Sequence, residues 1–105
     1  MVSGLVLYDI ELDGCLNGVY TNDHAAGLIY NEIARRRPDS PDGDLSGIYD
    51  CFYFDENNSR NNAVLTISRI GRTYHLEWRT DSRIIFNGVG YIMNEKQLVV
   101  HYWDL

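Results

Sequence analysis

The stretch from Ala63 to Trp103 constrains the fold more than any other part of the chain, because it predicts four consecutive antiparallel strands. Tyr74, Leu76 and Trp78 alternate with polar residues, the period of two that is typical of a strand with one buried face. Gly71 supplies a hairpin turn before this strand. The four predicted strands are Ala63–Ser68, Arg72–Arg79, Ile84–Tyr91 and Leu98–Trp103.

The first half of the chain adds four more predicted strands, with a hairpin signal at Asp13-Gly14 and a turn-rich break from Pro38 to Asp44. These strands are Leu5–Leu12, Cys15–Asn22, Leu28–Arg35 and Leu45–Phe54. Residues 23–37 also fit one helix capped by Asp23; strand is favoured because Gly27 and the Ile29-Tyr30 pair weaken a helix. About eight short strands with short loops favour an all-β fold, a single antiparallel meander β-barrel over residues 1–105. Closure would remove the exposed edges of an open sheet.

Net charge restricts the partners that we expect. The formal charge is −6 and the pI is near 4.8, which opposes binding to nucleic acid or to an anionic membrane surface. The basic run Arg35–Arg37 is followed at once by acidic residues, so we interpret it as a solvated strand end. No signal peptide is recognisable, which makes a cytoplasmic location the default expectation; a secreted or periplasmic location would require a leader that has been removed.

Sequence patterns for catalysis or metal binding are weak. His75 and Glu77 share one strand face, but a metal site needs a third ligand, and none is visible in the sequence. The serines and histidines occur in no catalytic motif, so we expect no enzyme, no cofactor and no metal. Cys15 and Cys51 are interpreted as buried free thiols, and a disulfide between them stays open because sequence does not give their separation.

Tyrosine is abundant, with eight residues against three phenylalanines. Five of them, on predicted inner faces, would give an apolar pocket with a few polar points, as in many small-molecule sites. These five are Tyr8, Tyr20, Tyr49, Tyr74 and Tyr91. The alternative is a filled barrel with tyrosine hydroxyls at its rim. The pattern Leu-x-Gly-aliphatic-Tyr occurs twice, ending at Tyr20 and Tyr49; it indicates either two bent strands or two tyrosines that line one cavity.

The segment from Gly14 to Asn22 resembles a strand of the avidin family, in which Gly-x-aliphatic-x-Gly-x-Tyr follows a hairpin turn. The resemblance implies that Tyr20 would bond a ligand oxygen and that Asn22 would also reach the ligand. The second half is similar to small uncharacterised bacterial lipocalin-like domains. Trp78 and Trp103 do not reproduce the tryptophan cage of avidins, so the resemblance implies a calycin-like barrel and not biotin binding.

We therefore expect a non-catalytic barrel that binds a small, partly apolar ligand. The expected ligand-binding residues are Tyr20, Asn22, Tyr49, Tyr74 and Trp78. The alternative is a structural or interaction protein with a filled core. The strand Leu98–Trp103 is apolar on both faces, which favours a homo-oligomer.

Overall fold

A computed structural model describes residues 1–40 and 44–105. These residues form eight antiparallel strands that pair in chain order, and the last strand pairs with the first to close a barrel. The strands are β1 (Ser3–Ile10), β2 (Leu16–Asn22), β3 (Tyr30–Arg36), β4 (Gly47–Phe54), β5 (Arg60–Ile70), β6 (Thr73–Thr80), β7 (Arg83–Met93) and β8 (Gln97–Asp104). Every strand thus has two neighbours, so no edge is left open. The predicted all-β closed meander is confirmed.

The segment that fitted both a strand and a helix is a strand. β3 pairs with β2 on one side and with β4 on the other, and Gly27 just before it has a φ of +83°, which a helix does not allow. Leu28 and Ile29, predicted as the start of the strand, instead lie in the preceding loop and are exposed.

No helix in the described residues is long and apolar enough to span a membrane. The predicted break from Pro38 to Asp44 includes residues 41–43, which lie outside the described residues.

The barrel interior is filled by one face of each strand. Tyr74, Leu76 and Trp78 all point inward and are at most 5% exposed, as their alternation predicts. Leu12, which was predicted to end the first strand, is fully exposed because β1 ends at Ile10. The buried core consists of Val6, Tyr8, Leu16, Ala34, Tyr49, Cys51, Ala63, Leu65, Ile67, Tyr74, Leu76, Trp78, Leu98, Val100 and Tyr102.

Two glycines let large rings lie against the barrel wall. A Cβ at Gly18 would come within 2.7 Å of the Tyr8 ring, which lies across the strand pair from it. A Cβ at Gly88 would lie 2.9 Å from Val100 and 3.1 Å from the Trp78 ring. Gly88 therefore marks a close approach of β7 to the side chains that face it.

The two cysteines are free. Cys51 is buried inside the barrel, whereas Cys15, which was also predicted to be buried, is only half-buried. Cys15 directly precedes β2, whose first residue, Leu16, points inward, and this alternation leaves Cys15 at the barrel surface.

The two ends of the barrel differ in their connections. The chain termini and the β2–β3, β4–β5 and β6–β7 connections lie at one end, which we call the cavity end. The other four connections lie at the opposite end, which we call the Arg36 end after the last residue of β3.

Candidate functional site

A cavity of about 200 Å³ lies inside the cavity end, and we call it the aromatic cavity. Most of its wall is apolar, and five of its lining side chains carry aromatic rings. Its lining consists of Val2, Val6, Tyr20, Asn22, Glu32, Tyr53, Trp78, Phe86 and Tyr102. Because these side chains come from β1, β2, β3, β4, β6, β7 and β8 and from the residue just before β1, the cavity depends on barrel closure.

The rings of the aromatic cavity pack against one another through Tyr102. Its ring centroid lies 5.5 Å from that of Phe86, in an edge-to-face arrangement, and 6.0 Å from that of Trp78. Tyr20 contacts both Tyr102 and Tyr53 edge-on. Edge-to-face pairs of this kind add stability beyond that from buried area. The cavity wall is therefore a connected set of rings.

Hydrogen bonds fix the polar groups at the rim of the cavity. The Tyr20 hydroxyl donates to the backbone oxygen of Phe54, and the Tyr102 hydroxyl lies 3.3 Å from the oxygen of Thr21. Asn22 donates from Nδ2 to the Tyr102 hydroxyl at 3.1 Å and accepts at Oδ1 from the His24 backbone nitrogen at 2.9 Å. The two hydroxyl protons and the Asn22 amide thus already have partners within the protein.

A buried carboxyl lies against the inner part of the cavity. Glu32, on β3, is 5% exposed. Its Oε2 accepts a hydrogen bond from the Tyr8 hydroxyl and a longer one, of 3.4 Å, from Trp78 Nε1, and the Cys51 thiol also hydrogen-bonds the carboxyl. A buried carboxyl needs such donors, because an unpaired charge in an apolar interior is costly.

Burial controls the titration of this group of side chains. Removal of water raises the pKa of Glu32 above its ordinary value of 4.5, and the hydrogen bonds from Tyr8, Cys51 and Trp78 lower it in part. The pKa of the Cys51 thiol is raised strongly, first by burial and then by the nearby Glu32 carboxyl. Burial, followed by the same carboxyl, also raises the pKa of the Tyr8 hydroxyl.

Sequence reasoning missed Glu32. Its strand carries apolar Ile33 on one face and Ala34 on the other, so alternation in β3 does not identify the inner face. The available signal lies in the neighbouring strands: Glu32 pairs with Gly18 and Tyr53, which share the inner face with Leu16 and Cys51. Register with both neighbours is needed to place Glu32 inside.

The five predicted ligand-binding residues divide between the two ends of the barrel. Tyr20, Asn22 and Trp78 line the aromatic cavity. Tyr49 and Tyr74 line a separate recess at the Arg36 end. The hypothesis that the repeated pattern brings Tyr20 and Tyr49 into one cavity is therefore wrong.

Two further tyrosines differ from the predicted pocket lining. Tyr8 is fully buried beneath the aromatic cavity, where it reaches Glu32. Tyr91 is 53% exposed and lies on the outer face of the barrel. Gly88 and Gly90 occupy inner positions of β7, so alternation along the strand places Tyr91 on the opposite face.

Polar contacts of Arg36 cross the Arg36 end of the barrel. Arg36 donates to the backbone oxygens of Asp44 at 3.1 Å and Ser46 at 2.7 Å, and to the Tyr49 hydroxyl at 3.0 Å. Its guanidinium also lies 5.7 Å from the centroid of the Tyr49 ring. Tyr49 in turn donates to the oxygen of Leu45 at 2.8 Å. These contacts tie β3 to the β3–β4 connection.

The other side chains considered for metal binding lie outside the barrel. His75 is exposed on the outer face of β6, and Glu77 forms an ion pair with Arg79, with 3.1 Å between Oε2 and a guanidinium nitrogen. Within residues 1–40 and 44–105, no three His, Cys, Asp or Glu side chains are grouped so that they could hold a metal ion.

Comparisons of the chain with protein-family models, with curated proteins and with solved structures find no match.

Proposed function

We propose that this protein is a non-catalytic binding module, a calycin-like barrel that holds a small, partly apolar ligand in the aromatic cavity. The observation that carries the proposal is the cavity itself, which is walled by connected rings and reaches a buried carboxyl. Apolar walls with a few placed polar groups are the usual composition of a small-molecule site.

The size of the cavity limits the ligand. Its volume of about 200 Å³ is below the range of roughly 300–1,000 Å³ of sites for drug-sized molecules. A molecule with a single ring and a short polar side chain is therefore a better match than a lipid or a large cofactor.

The chemistry of the interior supports binding rather than catalysis. The one inward-facing thiol among the described residues, Cys51, has its pKa raised by burial, so it carries little of the thiolate form that attacks substrates. His24, His75 and His101 are all exposed, and none of them is among the residues that line the aromatic cavity. Glu32 is held by neutral donors, with no histidine among the lining residues to exchange its proton.

Native mass spectrometry of freshly purified protein tests the proposal, because it detects a co-purified ligand that is lost on denaturation. Val2→Trp places a large ring where Val2 lines the cavity and should remove the bound mass. Leu12→Trp is the matched control, since Leu12 is fully exposed at the Arg36 end and the same ring there leaves the cavity unchanged. Equal retention of the mass by both variants would place the ligand elsewhere and contradict the proposal.

The outer face of the barrel supports a second candidate, a homo-oligomer. Val99 on β8 pairs with Leu7 on β1 and with Tyr91 on β7, and Leu5 lies on the same outer face of β1 as Leu7. Leu5 and Tyr91 are 57% and 53% exposed. Adjacent exposed apolar residues are typical of an interaction surface.

Sedimentation velocity tests the oligomer separately from ligand binding. We expect Val99→Glu to dissociate the assembly, because it places a charge in the centre of the apolar row. Ile33→Glu, on the outer face of β3, is the control that should leave the assembly unchanged. A wild-type chain that sediments as a monomer at high concentration would exclude this candidate.

A further inference from the structure

We infer that the aromatic cavity selects a small organic cation, a ring-bearing amine whose ammonium group is directed towards Glu32. The inference rests on the proposed function, since it names the chemical class of the ligand that the cavity would take. It follows from the charge, the rings and the hydrogen-bonding directions of the side chains around the cavity.

The charge of the lining has one sign. Glu32 is the one carboxyl group among the described residues that line the cavity. These lining residues include no lysine, arginine or histidine. A ligand with a carboxylate or phosphate would thus find no cation among these residues to offset its charge in a site of low dielectric. The net charge of −6 for the whole chain acts in the same direction.

The rings add a second preference for a cation. Tyr20, Tyr53, Trp78, Phe86 and Tyr102 line the cavity. The faces of aromatic rings are electron-rich, and they attract ammonium groups most strongly where water is excluded. A cavity that combines several rings with one buried carboxyl matches an ammonium group attached to an apolar body.

The hydrogen bonds of the protein leave acceptors towards the ligand. Tyr20 and Tyr102 direct their hydroxyl protons to backbone oxygens, and the Asn22 amide is bonded to Tyr102. The Tyr20 oxygen keeps its lone pairs, and the Tyr102 oxygen, which already accepts from Asn22, keeps one. An ammonium group, which has three donors and no acceptor, is complementary to such a lining.

Proton balance gives the inference a measurable signature. The groups that face Glu32 are Tyr8 from β1, Tyr20 from β2, Cys51 and Tyr53 from β4, and Tyr102 from β8, together with the neutral indole of Trp78 from β6. All five ionisable neighbours are neutral near pH 7, because burial raises the pKa of each of them. Burial shifts the ionisation of Glu32 towards its neutral form, and a bound R–NH₃⁺ favours the ionised carboxylate, so formation of the ion pair is accompanied by release of protons from Glu32 to the buffer.

The test uses three probes with the same ring and different charges: 2-phenylethylamine, 2-phenylethanol and phenylacetate. Isothermal titration calorimetry of the full chain in two buffers with different ionisation heats gives both affinity and proton release. We expect the amine to bind at least about tenfold more tightly than the alcohol, and phenylacetate to bind most weakly. Proton release should accompany the amine alone.

Two variants locate the selectivity. Glu32→Gln keeps the shape of the side chain, and it should reduce amine affinity to about that of the alcohol and abolish proton release. Glu77→Gln removes a carboxylate from the outer face of β6 and should change neither quantity. The comparison of probes on the wild type does not depend on how well either variant folds.

The outcomes separate this inference from the proposed function. If the alcohol binds as tightly as the amine, or if Glu32→Gln keeps the amine preference, the cation inference is overturned while binding in the cavity stands. If none of the three probes binds and native spectra contain no extra mass, both the inference and the proposed function fail.

Discussion

The two ends of the barrel each hold an inward-facing ionisable residue of β3. The two side chains differ in the groups that surround them. Arg36 is fixed by backbone oxygens of the β3–β4 connection and by Tyr49. Glu32, four residues earlier, is held by neutral donors on three other strands. Its carboxyl also lies against an apolar cavity, whereas the Arg36 end is crossed by polar contacts.

The two charged or ionisable groups of β3 therefore have different surroundings at the two ends. At the Arg36 end, the donors of the guanidinium meet acceptors supplied by the chain, so the charge contributes to closing the barrel. At the cavity end, the carboxyl has hydrogen-bond donors without a positive charge among the residues that line the cavity. Burial shifts the ionisation of Glu32 towards its neutral form, and a nearby cation would shift it back. The first arrangement holds the barrel end together, and the second is consistent with the proposed binding site.

The largest expected effect is that of Trp78→Ala at the cavity end. Trp78 is 4% exposed, contacts the Tyr102 ring and donates to Glu32. Its loss leaves a void in the core and removes one donor from a buried carboxyl, so we expect the free energy of unfolding to fall by about 3–5 kcal/mol. Urea unfolding followed by far-ultraviolet circular dichroism measures this change.

Trp103→Ala is the matched control for the loss of a tryptophan. Trp103 is half-buried on the outer face of β8, where its ring contacts His101. The control should lose clearly less stability than Trp78→Ala. A loss below about 1 kcal/mol for Trp78→Ala would contradict the placement of this ring in the core.

A matched pair of tyrosine variants compares the two ends directly. Tyr8→Phe removes a hydroxyl that donates to the buried Glu32 carboxyl, while Tyr49→Phe removes one of several partners of Arg36. We expect Tyr8→Phe to cost about 1–3 kcal/mol, because it leaves a buried carboxyl oxygen without its closest hydrogen-bond donor. Tyr49→Phe should cost about 0.5–1.5 kcal/mol, because the oxygens of Asp44 and Ser46 still accept from Arg36.

Urea unfolding of both variants at one pH decides this comparison. Equal losses would show that the two hydroxyls contribute alike to stability. The proposed difference between the surroundings of Arg36 and those of Glu32 would then have no energetic support. Neither variant removes a ring, so differences in packing contribute little to the result.

Most of the fold could be predicted from the sequence, because local patterns determine it. Alternation places Tyr74, Leu76 and Trp78 on one face, and a glycine with φ of +61° turns the chain at Gly71. β3 was difficult, since its residues suit two conformations and its pairing with β2 and β4 decides between them. Long-range pairing of this kind is not encoded in any short window.

The candidate site was predicted only in part, and the reason is geometric. Alternation gives the face on which a side chain lies, but its height along the barrel depends on the register of all eight strands. Tyr20 and Tyr49 both point inward, yet they lie at opposite ends. Glu32 was missed for a related reason, since a charged residue enters the interior only when partners from other strands, such as Tyr8, are placed to bond it.

The smallest expected effect is a pH slope caused by Glu32. Burial raises the folded-state pKa of Glu32 above its ordinary value of 4.5, so above that pH the unfolded chain releases a proton that the folded protein keeps. The contribution of Glu32 to stability is therefore fully present below about pH 4.5 and is lost as pH rises through the folded-state pKa. The slope is at most about 1.4 kcal/mol per pH unit.

Urea unfolding of the wild type and of Glu32→Gln between pH 5 and 8.5 measures this slope as a difference. The unfolding free energy of the wild type, relative to that of Glu32→Gln, should decrease as pH rises and then level off. Glu77→Gln, which changes an outer carboxylate paired with Arg79, should not remove the slope. A flat difference would mean that Glu32 ionises as readily in the folded barrel as in the unfolded chain. An ionised Glu32 would then cost the folded barrel no free energy, and the physical reason for expecting a cation beside it would disappear.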